Sequence, residues 1–481
     1  MLKKVKKNPI HRLAEYYNDK AYFSQLYHLA APVAVQNLLT SSITMVGSVM
    51  VGQMGDAPMA AVALAGQVFF LLNLLLFGIA SGSAMFTAQL WGNKDIVSLR
   101  KVLGLCLSLG LGIGFVFFFL AEIFPASILR IFSQDPQVIL LGSQFLKLYA
   151  WSFIFFSITS GFSAVLRSVG EVRLPMAVNV AALTLNLFLY YGFIFGKLGL
   201  PAMGIQGVAL SFLIARIVEC LTLVTLVYAR KLPVAASIHE LTSFNLGFIG
   251  RVFKPVLPVI LNEFLWSTAV STYSVVYARI GTTSIAAMNI VATVESLAFV
   301  PFWGLSNAIS IMTGNGIGSG EKEKAFHNVG RTLGITAALA AILGGIILLI
   351  RMPILSLYNV SAEVIHNSRY ALIVLGSWLT IRSLNTILVI GMMRSGGDTR
   401  YSLVLDGVII WVLGVPMAIL GGFILHLPVY WVYLFVMSEE LLKCILGLRR
   451  YFSRKWIHDL TQTVTSPPES DSLLAPAEPE F

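Results

Sequence analysis

A single acid lies in the middle of an apolar stretch of the chain, Glu263 in PVILNEFLWS (258–267). An ionised side chain at the centre of a bilayer costs about 2.5–3.5 kcal/mol on insertion scales, so an acid in such a place is a functional candidate. Ser267, Ser271 and Ser274 follow at helical spacing and share one helix face with it. A polar stripe with an acid at its end is typical of the wall of a path for a cation or proton. The alternative is a protonated glutamate that only holds neighbouring helices together.

Two further acids, Asp406 and Glu295, lie in apolar segments and are reserve candidates for cation coupling. Asp406 follows the RSGGDTR loop (394–400) by about two helical turns, so water on that side could reach it. Aromatic faces near the same path could hold an organic cation, since each such contact contributes about 0.5–2 kcal/mol. The side chains that we expect to contact substrate are Gln36, Asn37, Asn179, Asn262, Trp266, Tyr273 and Asn289.

Other charged residues in apolar segments are spaced so that they can neutralise one another. Arg216 with Glu219, and Glu440 with Lys443, are three residues apart, which places both members of each pair on one helix face. We therefore expect a structural role for these two pairs and for the adjacent Glu439. Arg382 has no obvious partner in the sequence.

No motif in the sequence indicates an enzyme. The seven histidines are scattered, and the pair His239 and Glu240 does not form a metal-binding motif. Cys106, Cys220 and Cys444 fall in apolar segments without metal-ligand spacing, so we expect them to be packing residues. We expect no resident cofactor or metal. A sodium ion at Glu263 and a proton there are both left open.

The composition requires elements that cross a membrane. The chain has 481 residues, 57% hydrophobic and 12% charged, with a mean hydropathy of +0.81. A soluble protein has about 25% charged residues, so these values predict an all-α integral membrane protein. The predicted spans are 28–51, 59–85, 101–121, 138–166, 174–195, 204–228, 254–279, 284–313, 330–351, 364–393, 401–422 and 427–448.

The basic residues predict the orientation of these spans. With the N-terminus inside, the cytoplasmic segments contain 24 lysines and arginines and the outer loops contain four. This asymmetry is the positive-inside pattern, and it places both termini in the cytoplasm of a multi-pass protein of the cell membrane. The net charge of +10 therefore reflects topology, and we expect no nucleic-acid partner.

The chain contains an internal repeat. PVAVQNLLTSS (32–42) overlies PVILNEFLWST (258–268) at an offset of 226, and LRSVGEVR (166–173) overlies MRSGGDTR (393–400) at 227. Asn37 is thereby the repeat mate of Glu263, and Asn179 that of Asp406. Two halves of six spans have the same orientation, the parallel-repeat arrangement of some transporters.

The repeat also sets the predicted organisation of the chain. The linker is polar, and its HELTSFN stretch suits a short surface helix. The tail is rich in Pro, Ser and Glu, which is typical of disorder. The predicted parts are a cytoplasmic N-terminal segment (1–25), a first lobe (26–228), the cytoplasmic linker (229–252), a second lobe (253–457) and a disordered cytoplasmic tail (458–481).

Several of these stretches match a known family in combination. PVAVQNLLTSSITMVGSVMVGQMG (32–55), AQLWGNKD (88–95), LRSVGEVR and GMMRSGGDTRYSLVLDGVIIWVLGVP (391–416) resemble the multidrug and toxic compound extrusion (MATE) family, bacterial members in particular. The resemblance covers about 25–457. It implies two six-helix lobes that form a V, and export driven by inward flow of protons or sodium. It also implies an embedded carboxylate, and Glu263 is similar to the seventh-helix glutamate of some members.

The resemblance fails at one position. The family commonly has an aspartate in the first helix where this chain has Gly47, so a coupling scheme through that aspartate does not carry over. We expect a monomeric antiporter that lies in the lipid bilayer and exports small cationic or amphipathic toxic compounds by alternating access of the two bundles. The alternatives are a flippase for a lipid-linked saccharide precursor, and a membrane scaffold or receptor without transport activity.

Overall fold

The computed structural model describes residues 17–465, and this part of the chain is helical apart from turns and one isolated β-bridge between Gly397 and Ile457. Most of the N-terminal segment predicted to be cytoplasmic, residues 1–16, lies outside the described residues. The long helices of the first half are α1 (Lys20–Gly52), α2 (Asp56–Gly92), α3 (Ile96–Ile123), α5 (Pro136–Ser168), α6 (Arg173–Phe195) and α7 (Ile205–Ala229). Those of the second half are α9 (Leu246–Ile280), α10 (Thr282–Gly318), α11 (Lys322–Leu355), α12 (Ala362–Arg394), α13 (Thr399–Ile424) and α14 (Val429–Ser453). Three short helices complete the described part, α4 (Pro125–Arg130), α8 (Ile238–Thr242) and α15 (Thr461–Thr465).

Ten of the described helices are long and apolar enough to cross a membrane. They correspond to all the predicted spans except the seventh and the twelfth. At those two positions the chain still forms helices, α9 and α14, of 35 and 25 residues. Asparagine, glutamate and serine in α9, and two glutamates with a lysine in α14, interrupt the apolar stretches of these helices. The prediction of an all-α membrane fold is confirmed.

The described residues form two compact units. Unit one contains 17–39, 264–316 and 321–457, and unit two contains 40–263, 317–320 and 458–465. Helices α1 and α9 are therefore each shared between the units. The lobes predicted from the repeat, 26–228 and 253–457, follow the chain instead, and their boundaries stay a prediction.

Unit two has two clusters of buried apolar side chains that join its helices. One includes Phe86, Leu103 and Val227, and the other includes Leu72, Phe145 and Val208. Glycines allow close approach at these interfaces: a Cβ at Gly82 would meet a methyl group of Val256 at 2.7 Å. The apolar residues of α2 therefore pack on several neighbouring helices.

The linker contains the predicted short helix. α8 begins after Ser237, whose hydroxyl accepts a hydrogen bond from the Glu240 amide, while the Glu240 carboxylate accepts one from the Ser237 amide. This reciprocal capping stabilises a single turn. Leu241 lies against Gly104 of α3, where a Cβ would collide with the Leu241 backbone. The linker is thus packed on the first half.

The predicted tail is ordered at its start. The prediction of disorder from residue 458 is wrong for 458–465, which include α15, and residues 466–481 lie outside the described part. Leu460 and Val464 are buried in the core of unit two. The Gln89 side chain accepts a hydrogen bond from the Leu460 amide (2.7 Å) and donates one to the His458 carbonyl (3.1 Å). The burial of Leu460 and Val464, together with the two hydrogen bonds of the Gln89 side chain, orders this stretch.

Candidate functional site

A lysine enclosed by protein lies between two acids in the second half. The Lys443 ammonium on α14 is 3.2 Å from Asp406 Oδ1 on α13 and 3.6 Å from Glu439 Oε1 one turn earlier on α14. The Lys443 side chain is 2% exposed. A charge buried this deeply is tolerated only when it is paired, so the two carboxylates hold it in place.

An arginine links two more acids of the same unit. The Arg382 guanidinium on α12 is 2.7 Å from Glu295 Oε1 on α10 and 3.5 Å from Glu440 Oε1 on α14. Asn385 donates a hydrogen bond to Glu440 (2.7 Å), and the Tyr433 hydroxyl donates one to Glu295 (3.4 Å). Four helices thus supply one network, which we call the second-half cluster: Glu295, Arg382, Asp406, Glu439, Glu440 and Lys443.

A glycine permits one further contact with this cluster. A Cβ at Gly414 of α13 would collide with both the Tyr273 hydroxyl and Glu439 Oε2. The buried Tyr273 therefore approaches the Glu439 carboxylate. Ile410–Gly414 is π-helical, and such turns are frequent at functional sites. Tyr273, Asp406 and Glu295 are thus brought to one region, as expected of residues on one path.

The first half has a related but less charged arrangement. Arg216 on α7 is 2.5 Å from Glu219, which also accepts a hydrogen bond from Asn179 on α6 (2.8 Å). At the offset of 227, Arg216 is the repeat mate of Lys443, as Asn179 is of Asp406. Each half therefore places a basic residue at the same position of its sixth long helix.

The predicted pairs differ in outcome. The Arg216–Glu219 pair is confirmed. The Glu440–Lys443 pair is wrong, because Lys443 reaches Glu439 one full turn away and Asp406 on the next helix, which leaves Glu440 to Arg382. Sequence reasoning missed the cluster for this reason. The repeat could have indicated the cluster, since it aligns Lys443 with Arg216 and also aligns the acid Asp406 with the amide Asn179.

The other predicted site residues are divided between the two units. Glu263 and Asn262 are buried, with exposed fractions of 8% and 1%, and belong to unit two. Gln36 and Asn37 are half-buried residues of unit one. The remaining two, Trp266 and Asn289, are exposed on their helices. The roles of these residues stay predictions.

Unit two contains a neutral cavity of about 250 Å³. Its walls come from α1, α2, α5, α6 and α7, and none of the described residues in these walls is an acid or a base. Gly47 lies in the wall, where a Cβ would be 3.2 Å from a ring carbon of Tyr190. Polar groups are few: Asn186 is 6% exposed, and its Oδ1 accepts no hydrogen bond from the described residues. The polar and aromatic lining side chains are Thr44, Ser48, Phe145, Tyr149, Asn186, Tyr190 and Phe212.

The sequence matches a family model in both halves. The model described as MatE covers residues 32–191 and 258–420, which together are more than half of the chain. The chain belongs to the MatE family. The resemblance stated from the sequence motifs is thereby confirmed, and the two matched regions correspond to the two repeats of this MATE transporter.

Individual relatives agree with this assignment. The chain is 24% identical over 442 residues to the probable multidrug resistance protein NorM of Thermotoga maritima, with 90% of this chain and 92% of that protein covered. It is 25% identical to the multidrug resistance protein PmpM of Pseudomonas aeruginosa, with 83% of each covered. Among solved structures, a point mutant of the Vibrio cholerae MATE transporter VcmN superposes with a TM-score of 0.83 at 16% identity, covering 92% of this chain and 98% of that one. A MOP superfamily transporter from Pyrococcus furiosus gives 0.80 at 20% identity, covering 92% and 96%. These two structures share the fold.

Proposed function

We propose that this MATE protein is a secondary active antiporter that exports cationic or amphipathic toxic compounds, and that inward proton movement drives it through the second-half cluster. The observation that supports this proposal is the cluster itself. Four carboxylates and two basic side chains lie on four long helices of one unit, an arrangement with two acids in excess. Intramembrane ionisable groups of this kind are typical of proton relays in transporters.

The coupling ion in this proposal is a proton rather than sodium. The Lys443 ammonium and the Arg382 guanidinium already occupy the places beside the carboxylates where a cation would bind. A proton bonds to a single carboxylate oxygen and does not need several ligands around it. Glu439 is the proposed acceptor, because its Oε2 accepts no hydrogen bond from the described residues.

The substrate site in this proposal is the neutral cavity of unit two. Tyr149 and Tyr190 offer aromatic faces that suit an organic cation or a flat amphipathic molecule. Asn186 offers an unused acceptor within the same walls. Glu263 does not line this cavity. It is a second proposed contact for a cationic substrate, at which substrate and coupling ion exclude each other, since a buried acid can be neutralised by only one of them.

The test is transport of a fluorescent cation into proteoliposomes under separately imposed proton and sodium gradients. The proton gradient should support accumulation and the sodium gradient should not. Asp406→Asn and Glu439→Gln should abolish the proton-driven signal. Glu321→Gln is the matched control, because it removes an acid from an exposed pair with Lys324 at a helix end. Sodium-driven accumulation that needs Glu439 would contradict the choice of ion.

Two variants separate the roles of Glu263 and the cavity. Glu263→Gln should abolish coupled accumulation in a folded protein, and full accumulation would exclude Glu263 from the mechanism. Gly47→Leu puts a side chain into the cavity against Tyr190, so it should weaken binding of the fluorescent cation about tenfold or more. Gly112→Leu is its control, because a side chain at that exposed position on α3 meets nothing within 4 Å. Equal binding by both variants would place the substrate elsewhere.

The proposed setting is the cell membrane, with both termini in the cytoplasm and a monomer as the working unit. The flippase alternative finds no support in the cavity of unit two, which has no basic side chain in its walls to hold a pyrophosphate. Alternating access of the two halves is the proposed cycle, since parallel repeats are a common basis for it.

A further inference from the structure

A second pocket of unit two, of about 400 Å³, lies on the side of the linker. It is formed where the start of α3, the end of the linker, the start of α9 and the helix α15 meet. Two basic residues line it, Lys101 of α3 and Arg251 of α9, together with the polar residues Ser98, Ser243 and Asn245. No acid lines it. The transport proposal assigns no role to this pocket.

The two basic residues are available for a ligand. Neither Lys101 nor Arg251 forms an ion pair within residues 17–465, and the enclosed Nε of Arg251 has no hydrogen-bond partner there. Their neighbour Arg100 differs, because its guanidinium is bound to Glu240 (2.6 Å) and to the Pro233 carbonyl (3.1 Å). The chain thus uses one of two adjacent cations to hold the linker and leaves the other facing the pocket.

The groups around Lys101 and Arg251 favour a phosphate group as the ligand of this pocket. α9 starts at this pocket, and Asn245 caps it by accepting the Phe248 amide (2.8 Å). The remaining N-terminal amides of a 35-residue helix carry partial positive charge that attracts anions. The Ser98 hydroxyl lies in the same pocket and donates to no described residue, so it can bind a phosphate oxygen.

One wall of the pocket is apolar, which favours a ligand that has an apolar part as well as an anionic one. Phe244, Phe248 and Val464 form this wall, and the two rings are stacked at 6.4 Å. A free phosphate ion would make no use of it. A phospholipid would, because its glycerol and first acyl carbons follow directly on the phosphate.

We propose that this pocket binds the phosphate of an anionic phospholipid headgroup, with Lys101 and Arg251 as its ligands. Basic pockets between membrane helices near a membrane surface are suited to such headgroups. The lipid would join the linker, α3, α9 and α15. The proposal is independent of the coupling ion and of the exported compound.

The test is native mass spectrometry of the full-length protein in detergent, titrated with phosphatidylglycerol or with phosphatidylcholine. Wild type should bind one phosphatidylglycerol in preference to phosphatidylcholine. Lys101→Gln with Arg251→Gln should weaken this binding about twentyfold to thirtyfold, since each basic residue near an anionic group contributes about fivefold. Lys254→Gln is the matched control, because it removes an exposed charge from α9 outside the pocket, and it should bind as wild type does.

Three results would overturn the proposal. Equal losses in Lys254→Gln and in the double variant would mean that general surface charge holds the lipid. Unchanged binding in a double variant that elutes as a monodisperse protein would exclude the two ligands. Displacement of the lipid by millimolar inorganic phosphate, with tight binding of phosphate itself, would make this a site for a soluble phosphate instead.

Discussion

The Lys443 ammonium is the charge most completely enclosed in the second-half cluster, so its removal has a definite consequence. Lys443→Met should leave Asp406 and Glu439 without their shared cation, and breaking a buried pair in this way costs about 3–5 kcal/mol. We expect a clear drop in the unfolding temperature measured in detergent. Lys443→Arg should keep most of the stability.

A second substitution tests whether the loss comes from the unpaired acid. Adding Asp406→Asn to Lys443→Met should restore part of the unfolding temperature, because it removes one of the two uncompensated carboxylates. Lys324→Met is the matched control, since its ion pair with Glu321 is exposed and should matter little. A Lys443→Met protein as stable as wild type would show that this lysine is not paired in the folded state.

At the residue scale, the sequence predicted acids more reliably than their partners. Asp406 and Glu295 stood out because a charge in an apolar segment is rare, and both belong to the cluster. Arg382 was left without a partner, because Glu295 and Glu440 lie on other helices. Glu439 was given a structural role beside the predicted pair of Glu440 and Lys443, whereas it is itself a partner of Lys443. Spacing along one helix shows which side chains can meet on it, but contacts across helices depend on packing.

At the scale of elements, the linker is held on α3 by the pair of Arg100 and Glu240. The amide of Ser237, then Arg100, keep the pKa of Glu240 below its ordinary value of 4.5. A lowered pKa in the folded state means that the stabilisation is complete above about pH 4.5 and is lost as the pH falls through the lowered value. The linker should therefore loosen only in acid.

Limited proteolysis measures this loosening. Pepsin should cut the linker of the wild-type protein more readily as the pH is lowered through the pKa of Glu240, and Glu240→Gln should be cut readily throughout the acid range. Glu363→Gln is a suitable control, because it removes an acid whose hydrogen bond to Thr283 joins the starts of α10 and α12, away from the linker in the sequence. Linker cleavage that does not change with pH or with Glu240→Gln would mean that Leu241 and the Arg100–Pro233 contact hold the linker alone.

The sequence predicted the boundaries of elements where charged residues or glycines lie at their ends. The linker helix was predicted from HELTSFN and is present as α8. The start of the tail was predicted as disordered, because the Pro-, Ser- and Glu-rich residues after 465 dominate the composition of the tail. The start of the tail is ordered instead, because the apolar residues Leu460 and Val464 are buried there. Average composition cannot resolve a stretch of so few residues.

At the scale of the whole molecule, the positive-inside pattern predicts which side each loop faces. In a variant with Cys106, Cys220 and Cys444 replaced, a cysteine at His239 of the linker should react with a membrane-impermeant maleimide only after cells are permeabilised. A cysteine at Leu357, between α11 and α12, should react in intact cells. Both positions are exposed, so access to the reagent depends on the side of the membrane. The reverse labelling pattern would invert the topology.

The fold as a whole was predictable because several signals agreed. Composition required membrane helices, the repeat gave two halves, and the motifs in 32–55 and 391–416 identified the family. The compact units could not be predicted in the same way. Each of α1 and α9 has one part in each unit. A repeat in the sequence does not show at which residue a long helix passes from one unit to the other.

The matching positions of Arg216 and Lys443 have a consequence for the history of the gene. Each of these embedded cations is neutralised by acids from its own half, Glu219 in one case and Asp406 with Glu439 in the other. A gene for a single half could therefore be copied and fused without stranding a charge in the bilayer.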